Sequence, residues 1–211
     1  MYGSLRVVTP PATEPVDIDT VKRHCRVDSD YDDDLLTGYA TTARTMVEAW
    51  LDRALITQEL LFTATASPPP TASPLVPQSL IVFPLNWPPT IRKPIAIPRA
   101  PCVSVKEVLV GFLPDDMNPA TPDEDYVLNL GVEPGLIMLK APLVPMIPAM
   151  SMQVDYTCGY GDTGDEVPWL IRHAILMLTA ALYENRGDVN GAMPDAAYSI
   201  MTPYRLWSFA G

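Results

Sequence analysis

Between Met152 and Cys158 the chain alternates, with Met152, Val154, Tyr156 and Cys158 set against Gln153, Asp155 and Thr157. A period of two predicts a half-buried strand. Gly159, Gly161 and Gly164 then break the strand, and each is expected where the backbone needs positive φ. Asp165 or Glu166 is placed to cap a helix whose first turn accepts Pro168, because proline has no N–H to leave unpaired there. From Trp169 to Tyr183 that helix carries little that is polar beyond Arg172, His173 and Thr179. Its apolar circumference predicts burial on most sides, by its own domain or by neighbouring subunits.

Earlier in the chain the pattern is helical. Asp17 caps a predicted short helix over residues 18–25, with Ile18, Val21 and Cys25 on one face. The acids of Asp28, Asp30, Asp32, Asp33 and Asp34 precede a second helix, from about Asp32 to Asp52. There Leu36, Tyr39, Ala43, Val47 and Trp50 form one buried stripe, and first-turn acids favour the positive end of the helix dipole. Residues 1–16 read as an extended arm closed by Pro10, Pro11 and Pro15. Strands are predicted over 55–65, 103–113, 126–130, 136–140 and 152–158. A last amphipathic segment, 195–207, is interrupted by Pro203.

Together these predict an α+β fold. A small helical bundle of about three long helices and a C-terminal segment carries an antiparallel β region inserted between the second and third long helices. The divisions are 1–53 for the arm and two helices, 54–158 for the β-rich insertion with its proline loops, and 159–211 for the apolar helix and C-terminal segment. Composition adds one anomaly, 24 prolines in 211 residues, most of them between Pro68 and Pro148. At 48% hydrophobic and 18% charged the chain is globular, so the prolines mark long stiff loops, above all 67–101.

A net charge of −11 argues against a partner held by neutralising phosphates, though DNA could slide past such a surface. No apolar run reaches the roughly 18 residues of a membrane span, and the first residues lack the pattern of a signal peptide. Cys25, Cys102 and Cys158 are odd in number and far apart in sequence, so no disulfide framework is expected.

Candidate chemistry is sparse. Gly159–Gly164 has the spacing of a dinucleotide-binding turn, but Asp162, Asp165 and Glu166 oppose a pyrophosphate and no strand follows the helix. Asp28, Asp30 and Asp32 copy the first ligand positions of a calcium loop, which then fails at Asp33 and Tyr39. His24 and His173 lie on separate helices without a ligand at zinc spacing. Asp123, Glu124 and Asp125 read as solvated loop acids. No catalytic residue, cofactor or metal is expected.

Four blocks resemble a known family. Cys25-Arg26-Val27-Asp28 with Asp32-Asp33-Asp34-Leu35-Leu36 is similar to the start of the phage head–tail connector (adaptor) proteins. Arg53-Ala54-Leu55-Ile56-Thr57-Gln58 looks like the segment after their second helix. Asp155 to Gly161, then Val167-Pro168, Ala174-Ile175 and Tyr183-Glu184-Asn185-Arg186, is similar to their most recognisable block. Pro203-Tyr204-Arg205-Leu206-Trp207 resembles their ending.

The resemblance implies a structural virion protein of the neck, made in the host cytoplasm and without catalysis. Such a protein forms a ring, a dodecamer in the usual case, under the portal protein. It extends the DNA channel to a stopper or tail-completion protein, in phages and gene transfer agents alike. A head- or tail-completion protein of the same neck is the nearest alternative; a nucleotide-binding enzyme and a β-rich glycan-binding module are the others. For the connector, Trp169, His173 and Met177 on the apolar helix and Tyr204, Arg205 and Trp207 at the C-terminus are the candidate portal or subunit contacts, since aromatic and arginine side chains anchor interfaces. Removing everything after Thr202 is expected to leave a folded monomer that no longer joins the portal.

Overall fold

The computed structural model describes residues 2–66, 94–111, 116–140, 150–186 and 194–206. Most of the proline loop 67–101 and Trp207 lie outside the described residues. Among the described residues, four α-helices and two antiparallel sheets make a mixed α+β fold.

Helix α1 (Ile18–Cys25) begins at Asp17, whose carboxylate accepts the Thr20 N–H at 2.8 Å. Helix α2 (Asp33–Leu51) buries Leu36, Ala40, Ala43, Val47, Glu48 and Leu51. Tyr39 and Trp50, expected on the stripe, are only half-buried, because the stripe rotates onto Ala40 and Leu51. Both helices end in a left-handed residue that is not glycine, Arg26 at φ 56° and Asp52 at φ 55°, whose N–H groups return to Lys22 and Glu48 carbonyls.

Helix α3 (Trp169–Glu184) buries Ile171, Ala174, Ile175, Leu176, Leu178 and Thr179 in one cluster with α1, α2 and α4 (Asp195–Met201). Met177, Leu182 and Tyr183 pack half-buried against the same cluster. Its own chain therefore covers most of α3, so its apolarity is not a surplus awaiting neighbouring subunits. Only Trp169, 57% exposed, and Leu170, 41% exposed, remain as uncovered large apolar side chains at its start.

The larger sheet has the order β1 (Tyr2–Thr9), β2 (Gln58–Ala66), β8 (Met150–Cys158), β4 (Cys102–Gly111), β5 (Met117–Pro119). The smaller is β3 (Ile95–Ala96), β7 (Leu136–Leu139), β6 (Tyr126–Asn129). Leu60, Ala64, Val108, Val110, Met152, Val154, Tyr156 and Cys158 from the larger sheet close a second apolar cluster with Tyr126, Ile137 and Leu139 from the smaller. The N-terminal residues are extended, as expected of an arm. They are nevertheless an edge strand, since Tyr2 to Val7 pair in continuous register with Thr65 to Leu60. The sheet thus draws on residues before α1 as well as on those between α2 and α3.

At the turn into α3 only Gly159 has positive φ, at 135°. Gly161 and Gly164 answer a different demand, close approach. A Cβ on Gly161 would run into the Glu166 carboxylate, and one on Gly164 would come within 2.5 Å of the Pro15 carbonyl. Asp165 and Glu166 do not cap α3. They belong to a 3-10 turn, Gly164–Glu166, in which Glu166 reaches back to the Thr163 N–H at 3.0 Å, and Pro168 is the residue that starts α3.

Candidate functional site

The four sequence blocks are distant along the chain and meet in space. Asp32, from the first block, accepts the Tyr183 hydroxyl at 2.6 Å and the Arg186 guanidinium at 3.1 Å, both from the third. The Tyr183 bond, with Arg186 behind it, holds the Asp32 carboxyl below its ordinary range. This ties the start of α2 to the end of α3. Asp30 and Asp33 turn the other way, onto Lys22 at 2.5 and 2.9 Å. Asp30 and Asp32 of the calcium-like run, and Asp33 beside them, are therefore held by cations of their own chain.

The second and third blocks pair as backbone. Thr57 N–H donates to the Gly161 carbonyl at 2.9 Å and Tyr160 N–H to the Leu55 carbonyl at 3.2 Å. A Cβ on Gly159 would sit 2.6 Å from the Ile56 carbonyl carbon. The space a phosphate needs over this turn is filled by the chain itself, so the dinucleotide spacing reflects packing.

The second and fourth blocks are joined by Arg53, which is 8% exposed. Its Nε donates to the Tyr204 carbonyl at 2.5 Å and its Nη2 to Glu133 at 2.6 Å, and the guanidinium lies 5.8 Å from the Tyr160 ring. Leu206 N–H donates to the Leu51 carbonyl at 3.1 Å, and Arg205 stacks 4.9 Å over Trp50. Residues 202–206 are thus folded onto α2. Cutting after Thr202 would strip Arg53 of its carbonyl acceptor, so the folded monomer expected of that truncation would be less stable than the full chain. Glu48 sits beneath this joint. It accepts Leu55 N–H at 2.9 Å and Gln58 Nε2 at 3.2 Å and pairs with Arg44 at 2.9 Å. Burial raises its pKa despite those donors.

The candidate contact residues divide. Trp169 is exposed, stacks on His173 at 6.0 Å, and has Arg172 5.4 Å over its ring. His173 in turn meets His24 edge-on at 6.1 Å, a proximity that the separate helices concealed. Desolvation, then the charge of His173, lowers the His24 pKa. Met177 is half-buried against its own core, and Tyr204 and Arg205 are half-buried in the fold just described. Trp207 lies outside the described residues.

Sequence reasoning passed over Arg53, Glu48 and Asp32 as functional positions. For Glu48 a signal existed: it falls on the α2 stripe four residues after Arg44, a charge where an apolar residue was due. Two cysteines far apart in sequence also meet, since Cys102 lies directly opposite Cys158 in the β4–β8 register, both as free thiols. Among the described residues no group of three or more His, Cys, Asp or Glu side chains is arranged to hold a metal, and no helix is long and apolar enough to cross a membrane.

Comparison with known proteins gives two kinds of match. Residues 15–111 match the family model described as phage gp6-like head-tail connector protein. No curated protein matches the sequence. Among solved structures, the neck of an empty gene transfer agent particle computed with C6 symmetry contains a chain with TM-score 0.70 and 20% identity, covering 99% of this chain and 98% of that one. A chain in the virion of a native gene transfer agent particle gives 0.66 at 20% identity, with 98% of each covered. One in the neck of the native particle computed with C12 symmetry gives 0.61 at 21% identity, over 99% and 98%. Residues 15–111 are thus similar in sequence to the phage gp6-like head-tail connector family, and nearly the whole length shares its fold with a chain found in the gene transfer agent neck.

Proposed function

We propose that the chain is a structural subunit of a virion neck, a head–tail connector that binds the portal protein and extends the DNA channel towards a stopper or tail protein. The observation that carries this reading is the family match over residues 15–111, and the full-length fold likeness supports it. The related necks were computed with C6 and C12 symmetry, which favours a closed ring of this chain, a dodecamer in the C12 case. In this reading 1–53 and 159–211 supply a helical unit and 54–158 an inserted β region, with β1 lent to the larger sheet.

The patch around Trp169 at the start of α3, with His173 half-buried and stacked against it, is a contact surface, because Trp169 and Leu170 are the apolar part of α3 that the subunit leaves uncovered. Tyr204, Arg205 and Trp207 form the C-terminal contact, with the Tyr204 carbonyl and the Arg205 guanidinium anchoring it to the subunit through Arg53 and Trp50. A net charge of −11 suits a wall past which DNA slides without being gripped. Mixing the purified chain with its cognate portal and imaging by electron microscopy tests the reading. A ring stacked on the portal is expected; a portal left bare at saturating chain would refute it.

A further inference from the structure

Strand β1 is an oddity of burial. Every residue from Gly3 to Pro10 is exposed, yet the strand holds its register on β2. Leu5 is 38% exposed, Val7 52% and Val8 47%. β1 is outermost in the sheet, so its far row of N–H and carbonyl groups has no strand partner among the described residues. An apolar edge with no lysine, and with proline only after its end, is a template for another strand.

The opposite side of the sheet has a matching vacancy. β5 pairs with β4 only at Leu109, Val110 and Gly111. The outer edge of β4 over residues 102–107 is open among the described residues, and Val103 there is 59% exposed. Directions agree as well. β1, β2, β8 and β4 alternate antiparallel, so a second copy in the same orientation brings its β1 antiparallel to β4.

The side chains across the sheet agree too. Leu5 and Val7 lie opposite Phe62 and Leu60, on the face that carries the apolar cluster, and Val105 and Val108 lie on that face opposite Tyr156 and Val154. On the other face one cross-strand row runs Arg6, Leu61, Asp155, Glu107, from one edge of the sheet to the other. It begins with a cation and ends with two carboxylates directly opposite each other, an arrangement that destabilises a sheet. Asp155 Oδ1 is buried without a hydrogen-bond partner. Neither Arg6 nor Glu107 has an ion pair among the described residues. Lys106, beside them, is taken by Glu59 at 2.5 Å.

We propose that β1 of one copy adds to the open edge of β4 in the next, with Arg6 set against Glu107 and Asp155, so that one sheet continues from subunit to subunit around the ring. With β1 lying along residues 102–107, Arg6 falls on the Glu107 face, opposite Ser104 or Glu107, and reaches the carboxylate directly or diagonally. The contact is heterologous, edge to opposite edge, the kind that closes into a ring when the rotation between copies permits. It rests on the connector reading and supplies the lateral joint of that ring.

The test uses the full chain with its cognate portal and compares wild type, Arg6→Glu, Glu107→Arg and the double reversal. Circular dichroism melting of each free chain controls for folding, since both side chains are exposed. Each single reversal is expected to weaken ring formation about tenfold or more, and the double reversal to restore it. Rings unaffected by either reversal, or singles that fail without rescue by the double, would overturn the joint while leaving the connector reading intact. Portal binding lost while self-association persists would give the edge to another partner and overturn it as well. A wild-type chain that forms no ring on the portal would bring down both.

Discussion

Replacing Arg53 by alanine puts the joint between the helices and the β region to a quantitative test. The guanidinium is 8% exposed and serves two acceptors, the Tyr204 carbonyl at 2.5 Å and Glu133 at 2.6 Å. A hydrogen bond from a charged group contributes about 1.5–3 kcal/mol, and its loss leaves the carbonyl unpaired. The Glu133 side chain is 46% exposed, so that pair is screened and adds at most about 1 kcal/mol. The sum is a loss of about 1.5–4 kcal/mol. For a chain of this size that lowers the melting temperature by roughly 3–16 °C.

Thermal and urea unfolding followed by circular dichroism reads the change directly, with Glu133→Gln as the control expected to cost about 1 kcal/mol or less. Truncation after Thr202 removes the same carbonyl acceptor, so its cost and that of Arg53→Ala should be non-additive, with a coupling of at least about 0.5 kcal/mol. A melting temperature unchanged by Arg53→Ala, or full additivity with the truncation, would show that the C-terminal segment is not held through Arg53.

Gly159→Ala should abolish soluble folded protein or cost several degrees of melting temperature, because φ is 135° and the new Cβ would lie 2.6 Å from Ile56 backbone; an unperturbed melt would refute the packing given to this turn. The Asp32 carboxyl is depressed, so its stabilisation is present above the ordinary carboxylate pKa of about 3.9 and lost as pH falls through the lower, folded value. Asp32→Asn should therefore flatten the acid limb of the stability profile below that pH, and an unaltered acid limb would exclude Asp32 as its source. Burial pushes the Cys102 thiol up to about 11 and the Cys158 thiol up to about 12. At neutral pH both should react with a thiol reagent at least about tenfold more slowly in the native chain than in urea, and rapid native labelling of Cys158 would contradict its burial.

Local chemistry made much of this fold legible. α1 begins at its aspartate cap and α3 one residue after Pro168, where cap and proline fix the start. The alternation at β8 survived because one face is buried. What was hidden depends on contacts between distant residues. α1 and α2 end on Arg26 and Asp52, which carry no glycine signal, so their left-handed caps could not be read. Gly161 and Gly164 looked like positive-φ positions, yet they are small because Glu166 and Pro15 crowd them. β1 has neither face buried, so its sequence offers no alternation to mark a strand. The meetings of His24 with His173 and of Cys102 with Cys158 follow from helix packing and strand register. The four blocks were legible as a resemblance; that their residues bind one another, and so form the frame of the subunit, was not.

A high-resolution reconstruction of the particle between portal and tail decides whether this chain is a wall segment of a neck. Ring density is expected there into which this α+β fold fits, copy beside copy around the DNA channel. Density at that level built from a different fold, with this chain absent from the purified particle, would contradict it.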